Sequence, residues 1–229
     1  MKKWGAILIV LFFWGCAQAP ILTGGPKDTH APQIDSAKTF PYNGQTNFDG
    51  DKVEMKFNEY IKLNKPLDNV IITPQQTKNA LITSKKKKLT IEFQEELLAN
   101  TTYTITFNKA IQDITENNDS VFQYVFSTGD FIDSIRLSGR ITDAFTNELL
   151  DEMLIGLYPA DLTDEYDSIP MNNKPMYLAQ SNSLGVFELN YLKTGSYYLF
   201  AYKDKNGNLN LDGDEPRAFL DQDIIELTE

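Results

Sequence analysis

The chain has 229 residues, 32 of them acidic and 21 basic, which gives a formal net charge of −11 at pH 7. A chain this acidic is a poor candidate for binding nucleic acid, because such binding depends on neutralising phosphates, and for lying flat on an anionic membrane. One cysteine cannot form a disulfide within the chain, so stability must come from burial of a hydrophobic core.

The N-terminus has the layout of a secretory signal peptide. A short basic start precedes the nine-residue apolar run Ala6–Trp14, which is far below the ~20 residues that a membrane-spanning helix needs. The following Gly15-Cys16 resembles the lipobox of bacterial lipoproteins, in which the cysteine is lipidated and becomes the new N-terminus. The resemblance implies a signal peptide over 1–15, a lipid such as palmitate on Cys16, and attachment to a membrane through that lipid. The alternative is a plain secretory signal with an unrelated cysteine.

Residues 16–32 read as the lipidated cysteine followed by a flexible tether, because they are rich in Gly and Pro and have no periodicity. In bacterial lipoproteins an aspartate after the cysteine favours retention in the inner membrane. Ala17 and Gln18 stand there instead, so we expect the outer membrane, with either the periplasmic or the surface face open. Loss of Lys2 and Lys3 with the signal peptide would make the net charge −13.

Two isolated features of the N-terminal half of the chain could be interpreted as binding sites. The sole histidine, His30, lies in the tether, where an exposed linker residue is a simpler interpretation than a metal ligand. The one basic cluster, Lys85–Lys88, could contact an anionic glycan or phosphate. We favour a solvated hairpin turn, because the surrounding protein is strongly acidic.

Residues 33–129 alternate apolar and polar side chains with a period of two, which places one face of each strand in a core and the other in water. The predicted core positions are Val53, Met55, Phe57, Leu89, Ile91, Phe93, Tyr103, Ile105 and Phe107. Shorter strands are expected at 70–73, 80–84 and 121–127. The strand at 121–127 is apolar on both faces and is therefore predicted to be a central strand of its sheet. Six or seven short strands separated by turns predict a β-sandwich.

Several strings in this segment carry a family resemblance: Pro41-Tyr42-Asn43-Gly44-Gln45-Thr46-Asn47, Asn100-Thr101-Thr102-Tyr103-Thr104-Ile105, Asp113-Ile114-Thr115 and Phe126-Ser127-Thr128-Gly129. They resemble the bacterial Ig-like domain of S-layer and envelope proteins. The resemblance implies a stalk, spacer or adhesive module and not an enzyme. It also implies a packing role for Tyr103.

After a linker at 130–134, alternation resumes over 135–229. Strands are predicted at 135–141, 153–158, 176–180, 186–189 and 196–203, with 218–220 and 224–227 as further candidates. The polar stretch 161–175 reads as a loop, and 147–152 could form a single helical turn.

The second half carries its own resemblance, in Ser138-Gly139-Arg140-Ile141-Thr142-Asp143-Ala144, Ser183-Leu184-Gly185-Val186-Phe187 and Leu192-Lys193-Thr194-Gly195-Ser196-Tyr197-Tyr198-Leu199. These strings resemble the carboxypeptidase-regulatory-like domain, which implies a seven-stranded transthyretin-like sandwich without peptidase activity. The pair of domains resembles Gram-negative envelope lipoproteins. The expected fold is thus all-β: two tandem β-sandwiches behind a cleaved lipoprotein signal peptide.

One segment has the spacing of a metal site. Its oxygen side chains follow the ligand positions of an EF-hand loop: Asp204, Asn206, Asn208, Asn210 (through its backbone carbonyl), Asp212 and Glu215. Leu209 replaces the usual glycine of the sharp turn, and the flanking segments read as strands. The loop therefore predicts either a weak calcium site suited to millimolar calcium or a turn that needs no metal. No cofactor is expected to be required.

Three classes of function remain to be weighed. Catalytic motifs such as Gly-x-Ser-x-Gly and His-Glu-x-x-His are missing from the sequence, so we expect no enzyme. Carbohydrate binding is the alternative, with Tyr42, Tyr60, Tyr166 and Tyr191 as stacking candidates, although both tryptophans fall in the signal peptide. The preferred hypothesis is a lipid-anchored structural or interaction module, whose partner is an envelope protein or a glycan.

Overall fold

The computed structural model describes residues 25–218, 220 and 224–228. The predicted signal peptide and the lipidation site at Cys16 lie outside these residues, so both stay predictions. The described chain is all-β, as expected, with only two α-helices of four residues each. Within it, no helix has the length and apolar character needed to cross a membrane.

The first half of the described chain forms seven strands: β1 Lys52–Lys56, β2 Ile61–Leu63, β3 Val70–Thr73, β4 Leu81–Lys85, β5 Lys88–Glu92, β6 Thr102–Asp113 and β7 Asp119–Ser127. A 3-10 helix at Ser36–Lys38 precedes them, and the short helix α1, Pro66–Asn69, leads into β3. Strands β1, β5 and β4 make one antiparallel sheet in that order. In the other sheet, β2 and β3 pair with successive parts of one edge of β6, and β7 pairs with the opposite edge.

The two sheets enclose a core that follows the predicted alternation. All nine predicted core residues are at most 5% exposed, and they belong to one hydrophobic cluster. The Tyr103 hydroxyl accepts a hydrogen bond from the Leu98 backbone N–H at 2.9 Å, which gives Tyr103 the packing role implied by the resemblance. We call this unit the first sandwich.

Two details of the first sandwich differ from the prediction. The central strand is β6 and not β7, whose first half forms a free edge with Val121 61% exposed. The threonine face of β6 was expected in water, yet Thr102 and Thr104 are 2% and 3% exposed. The reason is tertiary: this face of the sheet packs against the second half of the chain.

The second half forms six strands within the described residues: β8 Ile135–Arg140, β9 Leu154–Pro159, β10 Tyr177–Gln180, β11 Val186–Leu192, β12 Gly195–Tyr202 and β13 Ile224–Leu227. One sheet has the order β10-β9-β12-β13, and β11 pairs with β8 in the other. Their facing sides share a core that includes Ile155, Leu157 and Leu189. We call this unit the second sandwich. Six strands is one fewer than the transthyretin-like resemblance implies, and that resemblance stays a prediction.

Residues 161–175 are more than the predicted loop. They contain a 3-10 helix, Tyr166–Ser168, and the helix α2, Ile169–Asn172. Ile169 is fully buried, so the stretch supplies apolar cover to the sheet. The helical turn predicted at 147–152 is wrong, because the chain turns earlier, at 144–146, without forming a helix.

Strand β9, which lies inside the four-stranded sheet, is therefore buried on both faces. On the outer face of the sheet, Leu154, Leu178, Tyr202 and Leu211 form a separate cluster, to which Ile71 of the first sandwich adds. Tyr158 and Tyr202 are fully buried there, with their hydroxyl oxygens 3.2 Å apart. Burial raises the pKa of Tyr202 to about 12. We call this cluster the outer layer.

Candidate functional site

The predicted metal loop, residues 204–215, forms part of the cover of the outer layer. The Tyr202 hydroxyl donates to the backbone carbonyl of Leu209 at 2.8 Å. The Leu211 N–H donates to the carbonyl of Pro170 at 2.8 Å, and Leu211 is 4% exposed. The loop is thus held to the sheet by hydrogen bonds and by a buried leucine, which the ligand spacing alone does not reveal.

Two carboxylates of the loop bind its own backbone. Glu215, only 8% exposed, accepts hydrogen bonds from the N–H groups of Lys205 at 2.7 Å and Asp212 at 3.0 Å. Asp204 accepts from the N–H groups of Gly207 at 2.7 Å and Leu209 at 2.9 Å. The charges at the two ends of the loop are therefore balanced by backbone dipoles.

The third carboxylate, Asp212, accepts the side-chain amides of Asn206 at 2.6 Å and Asn208 at 3.0 Å. The oxygens of these two amides accept backbone N–H groups of Asn208 and Asn210. Leu209 has the positive φ of 64° that glycine usually supplies at this position of an EF-hand loop. The loop thus has the backbone turn that the ligand spacing requires.

The structure places all six predicted ligands in one loop whose side chains bind one another and the loop backbone. In the described part of the chain, no group of three or more His, Cys, Asp and Glu residues is arranged to hold a metal. Calcium would need six to eight oxygens around it. The carboxylates of Asp204, Asp212 and Glu215 accept N–H groups of the loop itself, and the calcium site stays a prediction.

A second loop in the protein also has a carboxylate that accepts backbone N–H groups of the loop. Asp113, at the end of β6, is 2% exposed and accepts four backbone N–H groups from residues 115–118 at 2.6–3.2 Å. Burial raises the pKa of the Asp113 carboxyl, but the four N–H donors outweigh that effect and lower the pKa below its ordinary value. A buried carboxylate can therefore order a loop in this protein through backbone hydrogen bonds alone.

The two sandwiches meet at a packed junction. The Gln75 N–H, just after β3, donates to the carbonyl of Met176, just before β10, at 2.9 Å. The linker N–H of Asp133 donates to the Thr102 hydroxyl at 2.8 Å. Ile71 of β3 packs into the outer layer of the second sandwich. Backbone and side-chain contacts both tie the two units together.

Two grooves flank this junction. The larger, of about 700 Å³, is lined in part by the apolar side chains of Ile71, Leu154, Leu178 and Leu209. Its lining also has three lysines and two aspartates, namely Lys78, Lys174, Lys205, Asp68 and Asp204. The amide nitrogen of Gln76, which also lines this groove, is buried and has no hydrogen-bond partner among the described residues. We call it the junction groove. The smaller, of about 500 Å³, lies between the threonine face of β6 and strands β10 and β11.

The four tyrosines considered for sugar stacking lie outside both grooves. Tyr42 and Tyr60 are about half exposed, at 57% and 49%. Lys87 lies 5.7 Å from the ring centre of Tyr60. Tyr166 packs against Tyr198 and Phe200. The structure does not bring the four together into one platform.

The two grooves and the outer layer were not foreseen from sequence, although Asp204, Asn206 and Asn208, which line the junction groove, were named there as possible metal ligands. Gln76 and Lys78 follow β3, whereas Lys174 and Leu178 lie about 100 positions later. Only the packing of one sandwich on the other brings them to the same groove. A continuous apolar run in β9, Met153–Leu157 apart from Gly156, was the one available sign that this strand is covered on both faces.

Comparison with known families supports part of the assignment. Residues 28–128 match the family model of the bacterial Ig-like domain, which confirms the Ig-like part of the resemblance. The match covers the whole first sandwich. A search of curated proteins found no match.

Solved structures similar to this chain include two pilins. BcpA, the major pilin subunit of Bacillus cereus, is 10% identical with a TM-score of 0.26, over 86% of this chain and 67% of the pilin. The pilus 2b backbone protein of group B streptococcus is 14% identical with a TM-score of 0.24, over 83% of this chain and 89% of the other. Likenesses this distant say nothing about function.

Proposed function

We propose that this protein is a non-enzymatic, lipid-anchored module of the bacterial cell envelope, a stiff two-sandwich spacer that holds an interaction surface at a distance from its membrane. The observation that carries the proposal is the packed junction. Sandwiches connected only by a linker move relative to each other by default. Here a backbone hydrogen bond, a hydrogen bond from the linker and the partly buried Ile71 oppose that motion.

The position of the site in the fold supports the same reading. The 204–215 loop, helix α2 and β3 all cover the outer layer. Features that looked like separate functional elements in the sequence therefore contribute to one rigid assembly. The match of residues 28–128 to the bacterial Ig-like family is consistent with a role in the envelope.

The anchor part of the proposal rests on the sequence. A lipid on Cys16 and a flexible tether to residue 32 would let the stiff module stand off from the outer membrane. Its partner would be another envelope protein. A glycan is the alternative, but it has less support, because the exposed tyrosines are dispersed and lie outside the grooves.

Stiffness can be measured with two spin labels in a Cys16→Ser background. One label at Lys86→Cys, in the β4–β5 turn, and one at Lys193→Cys, before β12, report the distance between the sandwiches. We expect one narrow distance distribution, which Ile71→Asp broadens because it places a charge in the outer layer. Leu67→Asp is the matched control, since Leu67 is 75% exposed. A broad distribution in the parent protein would contradict the spacer proposal.

The anchor needs its own test in cells. Labelling with palmitate should mark the protein, and Cys16→Ala should abolish the label and release the protein from the membrane fraction. Protease added to intact cells then reports the face. Loss of the protein, while a periplasmic marker survives, would place the module on the cell surface. Membrane association of the Cys16→Ala variant would contradict a lipid anchor.

A further inference from the structure

One end of the second sandwich carries a group of exposed apolar side chains. Phe145, in the turn before β9, is 95% exposed, the largest value among the large apolar side chains of the described residues. Leu184 and Leu149 are 60% and 44% exposed. The turns that carry them touch: the Ile141 N–H donates to the Gly185 carbonyl at 2.8 Å. A Cβ on Gly185 would lie 3.5 Å from that of Leu149.

Both turns are fixed by side-chain caps. The Asp143 carboxylate accepts the N–H groups of Phe145 at 2.9 Å and Thr146 at 2.8 Å. The Asn182 amide oxygen accepts the N–H groups of Leu184 and Val186. Phe145 and Leu184 are thus presented on ordered backbone, and this lowers the entropy cost of using them in a contact.

The residues around these exposed apolar side chains are acidic. Residues 141–152 contain Asp143, Glu148, Asp151 and Glu152 and no basic residue. Of these, Glu152 forms an ion pair with Lys203 at 2.9 Å, whereas Glu148 and Asp151 form none with any described residue. We call Phe145, Leu149, Leu184 and these carboxylates the acidic tip.

The junction groove has the complementary character. Its lining combines apolar side chains such as Ile71 and Leu209 with three lysines and two aspartates, in a protein of net charge −11. Lys78 and Lys174 form no ion pair with a described residue, whereas Lys205 is near Asp214. In the other basic cluster, Lys85 and Lys88 are paired strand residues and Lys86-Lys87 form the hairpin turn between them, and a convex turn cannot receive a phenylalanine.

We propose that the acidic tip of one molecule docks into the junction groove of a second copy. Phe145 would pack against the apolar lining residues of the groove, as anchoring aromatic residues do in protein interfaces. Carboxylates of the tip would face Lys78 and Lys174. Because the two surfaces differ, contacts either close into a reciprocal pair or continue as a chain.

This inference goes beyond the spacer function and can fail while that function stands. The first test is sedimentation of the mature chain carrying Cys16→Ser over a range of concentrations at low salt. We expect the average mass to rise with concentration and to fall with added salt, because the charge pairs are partly screened. A monomer at every concentration up to the millimolar range would overturn the proposal.

Variants then locate the contact. Phe145→Ser, and separately Lys78→Glu with Lys174→Glu, should each weaken association by at least about tenfold, the size expected for loss of an interface anchor. Phe131→Ser is the matched control, because Phe131 is 56% exposed but lies outside the groove and the tip. Equal loss in the Phe131 variant would indicate nonspecific apolar association and would overturn the proposed contact.

Cross-linking decides the pairing directly. Ala144→Cys, an exposed position next to Phe145, in one molecule and Asn79→Cys, at the groove, in another are mixed and treated with a short bismaleimide. We expect the mixed dimer to dominate over either like pair. Dominance of the 144–144 product would indicate tip-to-tip association and would contradict docking into the groove.

Discussion

The two sandwiches bury their sheets differently. In the first, the sheet β1-β5-β4 has one apolar face, carrying Val53 and Ile91, and one face that leaves Glu54 and Thr90 partly exposed. In the second, strand β9 is buried on both faces. Ile155 and Leu157 face the inner core, and Leu154 lies in the outer layer.

The difference shows that packing other elements over the outer face of a sheet changes the role of the residues on that face. Once helix α2, the 204–215 loop and Ile71 are placed over the outer face, that face becomes a second core and the loops that form it become structural. The outer layer is also where the two sandwiches meet, so its integrity should affect both domain stability and the geometry between the domains.

The largest effect is expected from Tyr202→Ala. Tyr202 is fully buried and bonds both Tyr158 and Leu209, so its removal should lower the free energy of unfolding by about 3–5 kcal/mol. That would equal the cost of a truncation in the inner core. Tyr42→Ala, at a 57% exposed position, is the control. Chemical denaturation measures both, and a loss below about 1 kcal/mol for Tyr202→Ala would mean that the outer layer is not a core.

A smaller effect is expected from Glu215→Ala. The substitution leaves the N–H groups of Lys205 and Asp212 without their acceptor, which should cost about 1–3 kcal/mol. Asp214→Ala is a matched control in the same loop, because that side chain is 86% exposed. Thermal melting followed by circular dichroism compares the two. Equal melting temperatures would show that the Glu215 hydrogen bonds do not hold the loop.

In the first sandwich, ionisation of the Asp113 carboxyl should make the stability of the fold depend on pH. The pKa of Asp113 is lower in the folded protein than its ordinary value, so its ionised form stabilises the fold above the unfolded pKa. That stability is lost as the pH falls through the folded pKa. Asp113→Asn should therefore lower stability at neutral pH and flatten the acid limb of a stability–pH curve.

The exposed Asp130 provides the control for that measurement. Asp130→Asn should leave the acid limb unchanged. If the Asp113→Asn and parent curves keep the same slope between neutral pH and acid, the four N–H donors do not stabilise the charged carboxylate.

The smallest effect is expected from chelation. The carboxylates of the 204–215 loop already accept hydrogen bonds from within the loop, so EDTA should leave the melting temperature unchanged. Isothermal titration of the chelated protein with calcium tests the metal prediction separately. A drop in melting temperature on chelation, abolished by Asp212→Ala, would show that the loop depends on calcium after all.

Much of the first sandwich could be predicted from sequence because one face of its main strands is in water. Val53, Leu89 and Tyr103 were all assigned to the core from alternation alone, and all three are buried. The same rule misplaced Thr104 in water, because alternation reports which side chains are apolar and not what packs against the polar ones. The spacing of the 204–215 loop likewise gave no sign that Asp204 and Glu215 bind the N–H groups of the loop itself.

The sequence by itself determined the all-β class, the position of nearly every strand and the alternation of core and surface side chains along the main strands. These features depend on local periodicity and on turn residues. Only the tertiary structure decided that the threonine face of β6 is buried, that the outer layer exists and that a lysine-lined groove lies between the sandwiches. Those features depend on pairs such as Ile71 and Tyr202, which are distant in the chain. Local patterns cannot encode them, because they form only when one folded sheet packs on another.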